Sequence, residues 1–217
     1  MSSWLLGMLM KGTKTQENTS PTSRRMQARI IDAVVEMVAR HGISGTTLAN
    51  VATTAGVSQG VLVFHFKSKE GLLTQTLVRL LDEYRAAWQA ALAAETPLDR
   101  ILNLVRTDFD PIICTNRKLA LWFAFWGEAS AKPIYNRLSS ESEEERFQVM
   151  KQACEELSSV AHVPDPAWLA QSIDAHTDGL WLQMHLQGPE FSPEKGLSAA
   201  FSHLRLLLPD LAGAINP

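Results

Sequence analysis

Apolar residues recur along most of the chain three or four positions apart, the spacing that puts them on one face of a helix. Ile30, Ile31, Val34, Val35 and Val38 form the first such stripe, predicting a helix that starts at Ser23 or Arg24, reaches Arg40 and is stopped by Gly42. Leu48, Val51, Ala52 and Ala55 predict a short second helix, with Thr46 or Thr47 as its cap and Gly56 as its left-handed end. Ser58 caps a third, over residues 59–64. Ser68 opens a long fourth helix, with Glu70 in its first turn and Leu72, Leu73, Leu77, Leu80, Leu81, Tyr84 and Trp88 along one face. It runs to residue 94, before Pro97. Further helices are expected over 98–113, 119–131 with Asn116 as cap, from Pro133 to near His162, 167–187 and 193–208. No strand, internal repeat or glycine-rich phosphate loop is visible. The predicted class is all-α, with about nine helices.

The second and third helices are separated by a turn of about three or four residues that contains a glycine, the signature of a helix-turn-helix. In that unit the second helix enters the major groove of DNA and its first residues meet the base edges. The exposed face of the third helix offers Gln59, Gly60, Val61 and Val63. Glutamine can bond adenine twice, and valine can touch a thymine methyl. Gly60 lets backbone approach closely. The alternative for Val61 and Val63 is that they pack inside the unit, whose core is expected from Val51, Val57, Leu62 and Phe66.

The same stretch resembles the DNA-binding domain of TetR-family transcriptional regulators. The likeness is carried in order by Thr47, Ala52, Ala55-Gly56-Val57-Ser58, Gly60, His65-Phe66, Lys69 and Gly71-Leu72-Leu73. It implies phosphate contacts from Thr47, His65 and Lys69, with Ser58 and Phe64 completing the DNA-binding set. It also implies that the long fourth helix joins the DNA-reading head to a body and transmits ligand state. Residues 1–22 are then an arm, 23–69 the head and 70–217 a ligand-binding and dimerisation body.

Within the body, Trp122-Phe123-Ala124-Phe125-Trp126, Tyr135-Asn136-Arg137-Leu138 and Asp178-Gly179-Leu180-Trp181-Leu182 resemble the BetI-type regulators that respond to choline. Trp122 and Trp126 stand four apart, on one helix face, and Asp174, Asp178, Trp181 and His185 form a second stripe. Trp122, Trp126, Trp181 and Asp178 have the chemistry of a quaternary-ammonium pocket, because ring faces attract a cation and a carboxylate adds long-range attraction. The alternative is that these aromatics are plain core or dimer interface. Leu180, Met184, Leu197, Phe201, Leu204 and Leu208 of the last two helices are expected to form the interface of a homodimer, with an intramolecular core as the alternative. Paired heads would read a palindromic double-stranded operator, and a small-molecule inducer would release it.

Composition narrows the picture further. With 46% apolar and 20% charged residues, the chain can build a core. Residues 1–69 carry eight Lys or Arg against three acids, whereas the remainder carries twelve against twenty. A basic end on an acidic body suits docking on phosphates at that end, or is a chance imbalance of two solvated surfaces. Within the arm, residues 11–22 lack periodicity and are read as disordered, or as a minor-groove arm using Lys11 and Lys14. The apolar Trp4 to Met10 is too short for a membrane span and is read as a non-native or loosely packed start. Glu141 to Glu145 reads as a solvated face. Two cysteines suggest no disulfide framework, and a cytoplasmic protein is expected. An all-α enzyme would have to draw on His176, His185, His203 or Cys154. None falls in a nucleophile or metal-ligand pattern, so no catalytic residue, metal or cofactor is expected.

Overall fold

The computed structural model describes residues 20–216, which form nine α-helices and two short 3₁₀ turns, with no strand among them. The apolar stretch Trp4 to Met10, Lys11, Lys14 and all but the last three residues of the expected arm lie outside the described residues. Helix α1 (Pro21–Gly45) begins two residues before the expected start. Ser20 accepts a hydrogen bond from the Ser23 amide, and Pro21 occupies the first turn, where its missing N–H costs nothing. Gly42 interrupts the helix rather than ending it: its φ of 67° kinks the chain, and a further turn runs to Gly45. The buried Thr46 hydroxyl donates to the Gly42 carbonyl across that kink.

Thr47, not Thr46, caps α2 (Leu48–Ala55), in a reciprocal box with Asn50. Gly56, at φ 63°, ends α2, and α3 (Gln59–Phe66) follows after Val57 and Ser58. Helix α4 (Lys69–Ala91) is capped by Ser68 and stops three residues earlier than expected. Gly71 sits in its first turn against the end of α3. A Cβ there would lie 2.2 Å from the Phe66 carbonyl oxygen, so only glycine allows this approach.

The body comprises α5 (Pro97–Asp108), α6 (Asn116–Ala129), α7 (Pro133–Ser158), α8 (Pro166–Gln187) and α9 (Pro193–Leu207). Helix α5 ends five residues short of the expected Ile113. Asp110 takes over there: its carboxylate accepts from the Ile112 amide and its carbonyl from Ile113 and Cys114, making a turn typical of aspartate. Thr115 caps α6 in place of the expected Asn116.

One apolar core runs through head and body. Ile30, Val34, Val38, Val51, Leu62 and Phe66 are buried in the head, and Leu72, Leu73 and Leu77 of α4 continue it towards Leu104, Leu119 and Phe125. Each such side chain contributes about 1.5–3 kcal/mol on burial. Val57 is half-buried against the same core. The residues expected at a dimer interface are corrected here. Leu180, Met184, Phe201, Leu204 and Leu208 are buried within the chain, and Leu197 is half-buried against the same core. Periodicity reveals an apolar face but not whether its partner is the same chain. The apolar side chains that α8 and α9 leave exposed are others: Trp168, Leu182, Leu186 and Leu206.

Candidate functional site

The head presents α3 to solvent. Gln59, Gly60 and Val63 are exposed there, and Phe64 keeps 71% of its surface accessible. Val61 is half-buried against the core, so of the two valines only Val63 stays open. The Ser58 hydroxyl makes no capping bond to α3 and remains available. Thr47, by contrast, already accepts from the Asn50 amide. His65 lies half-buried between Phe64 and Phe66, with ring centroids 5.0 and 6.1 Å away. Lys69 donates to the Ser44 carbonyl at 3.3 Å, tying the start of α4 to the last turn of α1. Two residues escaped the sequence reading. Arg29 of α1 donates to the Ala55 carbonyl at 2.6 Å and so closes the open end of α2. Lys67 adopts φ 69°, folds back to donate to the Phe64 carbonyl and holds its ammonium 5.6 Å from the Phe64 ring centre. The exposed phenyl is thus clasped by a cation beside the base-reading face.

In the body, α4, α5, α6, α7 and α8 enclose a cavity of about 370 Å³. Three tryptophans and a tyrosine form one wall. Trp122 lies 6.4 Å from Trp126, 6.3 Å from Trp181 and 6.0 Å from Tyr84, measured between ring centroids. Trp122, Trp126, Trp181 and Asp178, singled out from the sequence, therefore line one space. His185 does not join them; its ring stacks on Phe123 at 5.0 Å.

Behind the aromatics lies a buried ionic network that the sequence reading missed. Arg146 of α7 donates to Asp108 of α5 and to Asp174 of α8, each at 2.7 Å. The Tyr84 hydroxyl donates to the other Asp108 oxygen at 2.6 Å, and the Trp181 indole N–H to the Asp108 carbonyl at 2.8 Å. Burial pushes the Asp108 carboxyl up to about 6 despite the opposing pull of Arg146 and Tyr84. Burial also raises Asp174, again against Arg146. Burial works against the charge of Arg146, yet Asp108, Tyr84 and Asp174 outweigh it and hold the guanidinium firmly charged. The signal for this network was present in the pattern: Asp108 and Arg146 each occupy a position on the apolar stripe of their helix, where an ion needs a partner.

Asp178 differs from those groups. Among the described residues no side chain bonds its carboxylate. Asp178 is an exposed residue, yet the protein around its carboxyl removes part of its hydration and, with Asp108 and Asp174 adding repulsion, raises it to about 7. Glu143 is raised by burial in the same way. The acidic run expected to be a solvated face is so in Glu141, Glu143 and Glu144, which are exposed, though it also borders the cavity. Ser142 is buried, Glu143 and Glu144 line the cavity, and Glu145 pairs with Arg85 at 2.7 Å. The lining thus holds five carboxylates against one arginine.

The side chains considered for catalysis lie apart from this cavity. His176 and His203 stack at 4.1 Å between α8 and α9. Burial pushes the Cys114 and Cys154 thiols up to about 12, far from a reactive thiolate. Among the described residues no three His, Cys, Asp or Glu side chains could hold a metal ion, and no helix is long and apolar enough to cross a membrane.

Comparison with known proteins agrees with this two-part construction. Residues 30–76 match the tetR family of bacterial regulatory proteins, and residues 97–209 match the C-terminal domain of BetI-type transcriptional repressors. The chain belongs to the TetR family, with a BetI-type body. The regulator BetI of Paraburkholderia phymatum is 31% identical over 84% of this chain and 92% of its own. That of Burkholderia thailandensis is 30% identical over 84% and 93%. Among solved structures, a transcriptional regulator from Pseudomonas aeruginosa superposes with a TM-score of 0.73, at 22% identity over 92% of this chain and 97% of that one. A regulator from Saccharomonospora viridis, solved in complex with choline, gives 0.75 at 19% identity over 84% and 96%. These last two likenesses establish the fold. This TetR-family chain is accordingly a transcriptional regulator with an N-terminal DNA-binding domain.

Proposed function

We propose that this protein is a repressor that binds a palindromic operator as a homodimer in the cytoplasm and is released when an organic cation, choline-like in its trimethylammonium group, occupies the body cavity. The observation that carries the reading is the position of α6. One part of this helix lines the cavity with Trp122 and Trp126, and the helix packs along α1 of the head. A ligand that fits one arrangement of α6 better than another would bias the head by that difference in affinity. The head comprises residues 23–69 and the body 70–217. A cavity of this volume lies in the range of small-ligand sites. Its aromatic wall and surplus of carboxylates favour a cation, each ring face adding roughly 0.5–2 kcal/mol.

On DNA, Gln59, Gly60, Val63 and Phe64 of α3 would face the bases, with Val61 at the margin of that face. Thr47, Ser58, His65 and Lys69 would meet phosphates around them. The test uses a duplex selected by the protein from a random library, with fluorescence anisotropy as readout. Gln59→Ala should cost about 1–3 kcal/mol on the selected duplex and little on a random one. Lys69→Ala should weaken both alike. Choline should lower affinity for the selected duplex in the parent protein and have less effect in Trp126→Ala. Equal losses on both duplexes for Gln59→Ala would remove it as a base reader. A choline response that survived Trp126→Ala unchanged would remove the cavity as the site of induction.

A further inference from the structure

The cations of the head divide into those that are occupied and those that are not. Arg40 pairs with Glu36, which also takes Arg117 from the body. Lys67 and Lys69 donate to main-chain carbonyls within the head. Arg24 and Arg25, in contrast, stand exposed on the first turns of α1. Among the described residues no carboxylate pairs with either of them or with Arg29, and Asp32, one turn beyond Arg29, makes no ion pair. Arg25 and Arg29 are four residues apart and therefore share a helix face. Like charges at that spacing repel, and nothing among the described residues offsets the repulsion.

The place of this face in the fold says what would offset it. Arg29 donates to the Ala55 carbonyl at 2.6 Å, and one of its terminal nitrogens lies 3.3 Å from where a Cβ on Gly56 would be. The early part of α1 thus rests against the turn that leads into α3, beside Ser58, Gln59 and Gly60. The body meets α1 elsewhere, where Arg117 of α6 holds Glu36. At 1.5 Å per residue, Arg25 stands about 16 Å along the helix axis from that contact.

Resting on the reading of α3 as the base-facing helix, we propose that the start of α1 is a further DNA contact, in which Arg25 binds a backbone phosphate flanking the bases that α3 meets. When α3 lies in the major groove, the strands that rim the groove pass beside the elements flanking its start. Arg29 is tied to Ala55 and fixes α1 against the turn, which leaves Arg25, one turn farther out, to meet the rim. A phosphate there offsets the repulsion between the two arginines. A guanidinium suits it, because its planar fork can donate two parallel N–H bonds to phosphate oxygens. Such a contact carries no sequence information directly, so Arg25 positions the head and leaves selection to α3.

The test follows the salt dependence of binding by fluorescence anisotropy, on the selected duplex and on a random one. Each phosphate neutralised contributes about 0.9 to the slope of log affinity against log salt. Arg25→Ala should lower that slope by about one for each head bound and weaken both duplexes alike. Arg25→Lys, which keeps the charge, should restore most of the slope. Lys151→Ala, which removes the same charge from α7 of the body, should leave it as it was. Neutral methylphosphonates placed singly in the flanks should weaken the parent at one position per half-site, where Arg25→Ala should be indifferent. An unchanged slope in Arg25→Ala would overturn the proposal, as would a loss confined to the selected duplex, which would make Arg25 a base reader. Equal lowering in Arg25→Ala and Arg25→Lys would also overturn it, since a purely structural role would have that effect. Gln59→Ala separates this from the reading of α3. If it weakened both duplexes alike while Arg25→Ala still lowered the slope, Gln59 would fall as a base reader and the phosphate contact would stand.

Discussion

At the scale of single residues, Arg146 is the side chain whose loss should be felt most. It is 6% exposed and serves two carboxylates, one of them equally buried. Its deletion leaves uncompensated charge, which typically costs about 3–5 kcal/mol, whereas replacing a whole buried network by neutral groups is often harmless. Arg146→Met should therefore destabilise the protein by roughly that amount in urea titrations. The triple variant Arg146→Met with Asp108→Asn and Asp174→Asn should recover much of the loss. A single variant as stable as the parent would show that the cavity's water, rather than Arg146, balances these acids. Asp178 should behave in the opposite way. Its folded carboxyl holds a proton to higher pH than the unfolded chain does, so its contribution to stability is full in acid. That contribution fades as pH rises from about 4, the unfolded value, through about 7. Asp178→Asn should accordingly raise the melting temperature at about pH 8 and change it little at about pH 4. A gain that is the same at both would mean that Asp178 is ordinarily solvated.

Helices are the scale at which the sequence was most informative, and the limits of that reading are physical. Caps and breaks are local chemistry, so Gly56 and Ser68 could be placed from neighbours a few residues away, and Ser58 as the residue before α3 though its hydroxyl makes no capping bond. Where two candidates adjoined, at Thr46 and Thr47, only the folded backbone decided which one caps, and at α6 it moved the cap from the expected Asn116 to Thr115. The aromatic wall was legible because tryptophans at helical spacing must share a face. The Tyr84–Asp108–Arg146–Asp174 network was not, because its members come from α4, α5, α7 and α8 and no local pattern pairs them. The same gap left the six apolar residues of α8 and α9 open between a dimer face and an internal core: an apolar stripe does not name its partner. Contact between elements also rests on a position that pattern alone treats as ordinary. Gly71→Ala would drive a Cβ into the Phe66 carbonyl and push α3 away from α4. Operator affinity should fall at least tenfold, about 1.4 kcal/mol, while the body keeps its ligand affinity. Hydrogen exchange should show faster opening of α2 and α3 with α7 and α8 unchanged. Unaltered DNA affinity would mean that the junction tolerates a shift of the helix.

Across the whole molecule, the question is how an event in the cavity reaches DNA-facing residues of the head. Helix α6 touches both. In its first turn, Arg117 pairs with Glu36 of α1 at 2.8 Å, and Glu36 also holds Arg40. The adjacent Lys118 pairs with Glu83 of α4 at 2.9 Å and donates to the Ile112 carbonyl of the preceding loop. Trp122 and Trp126 follow on the same helix, at the cavity. A rigid helix anchored this way would carry a displacement of its tryptophans to both routes into the head. The magnitudes separate their shares. Arg117 is largely exposed, and such an ion pair is worth up to about 1 kcal/mol, whereas coupling between two sites usually amounts to about 1–3 kcal/mol. The packing of α6 along α1 must then carry the larger part, with the ion pair trimming it. Arg117→Ala should change the ratio of DNA affinities with and without choline by up to about fivefold, leaving choline affinity of the DNA-free protein as it was. Arg117→Glu should change that ratio further, because it sets two carboxylates side by side. Combining it with Glu36→Arg should restore the original ratio. If the ratio stays within about twofold of the parent in all three variants, the ion pair has no share in the coupling, which then passes through the packing of α6 along α1 and through α4.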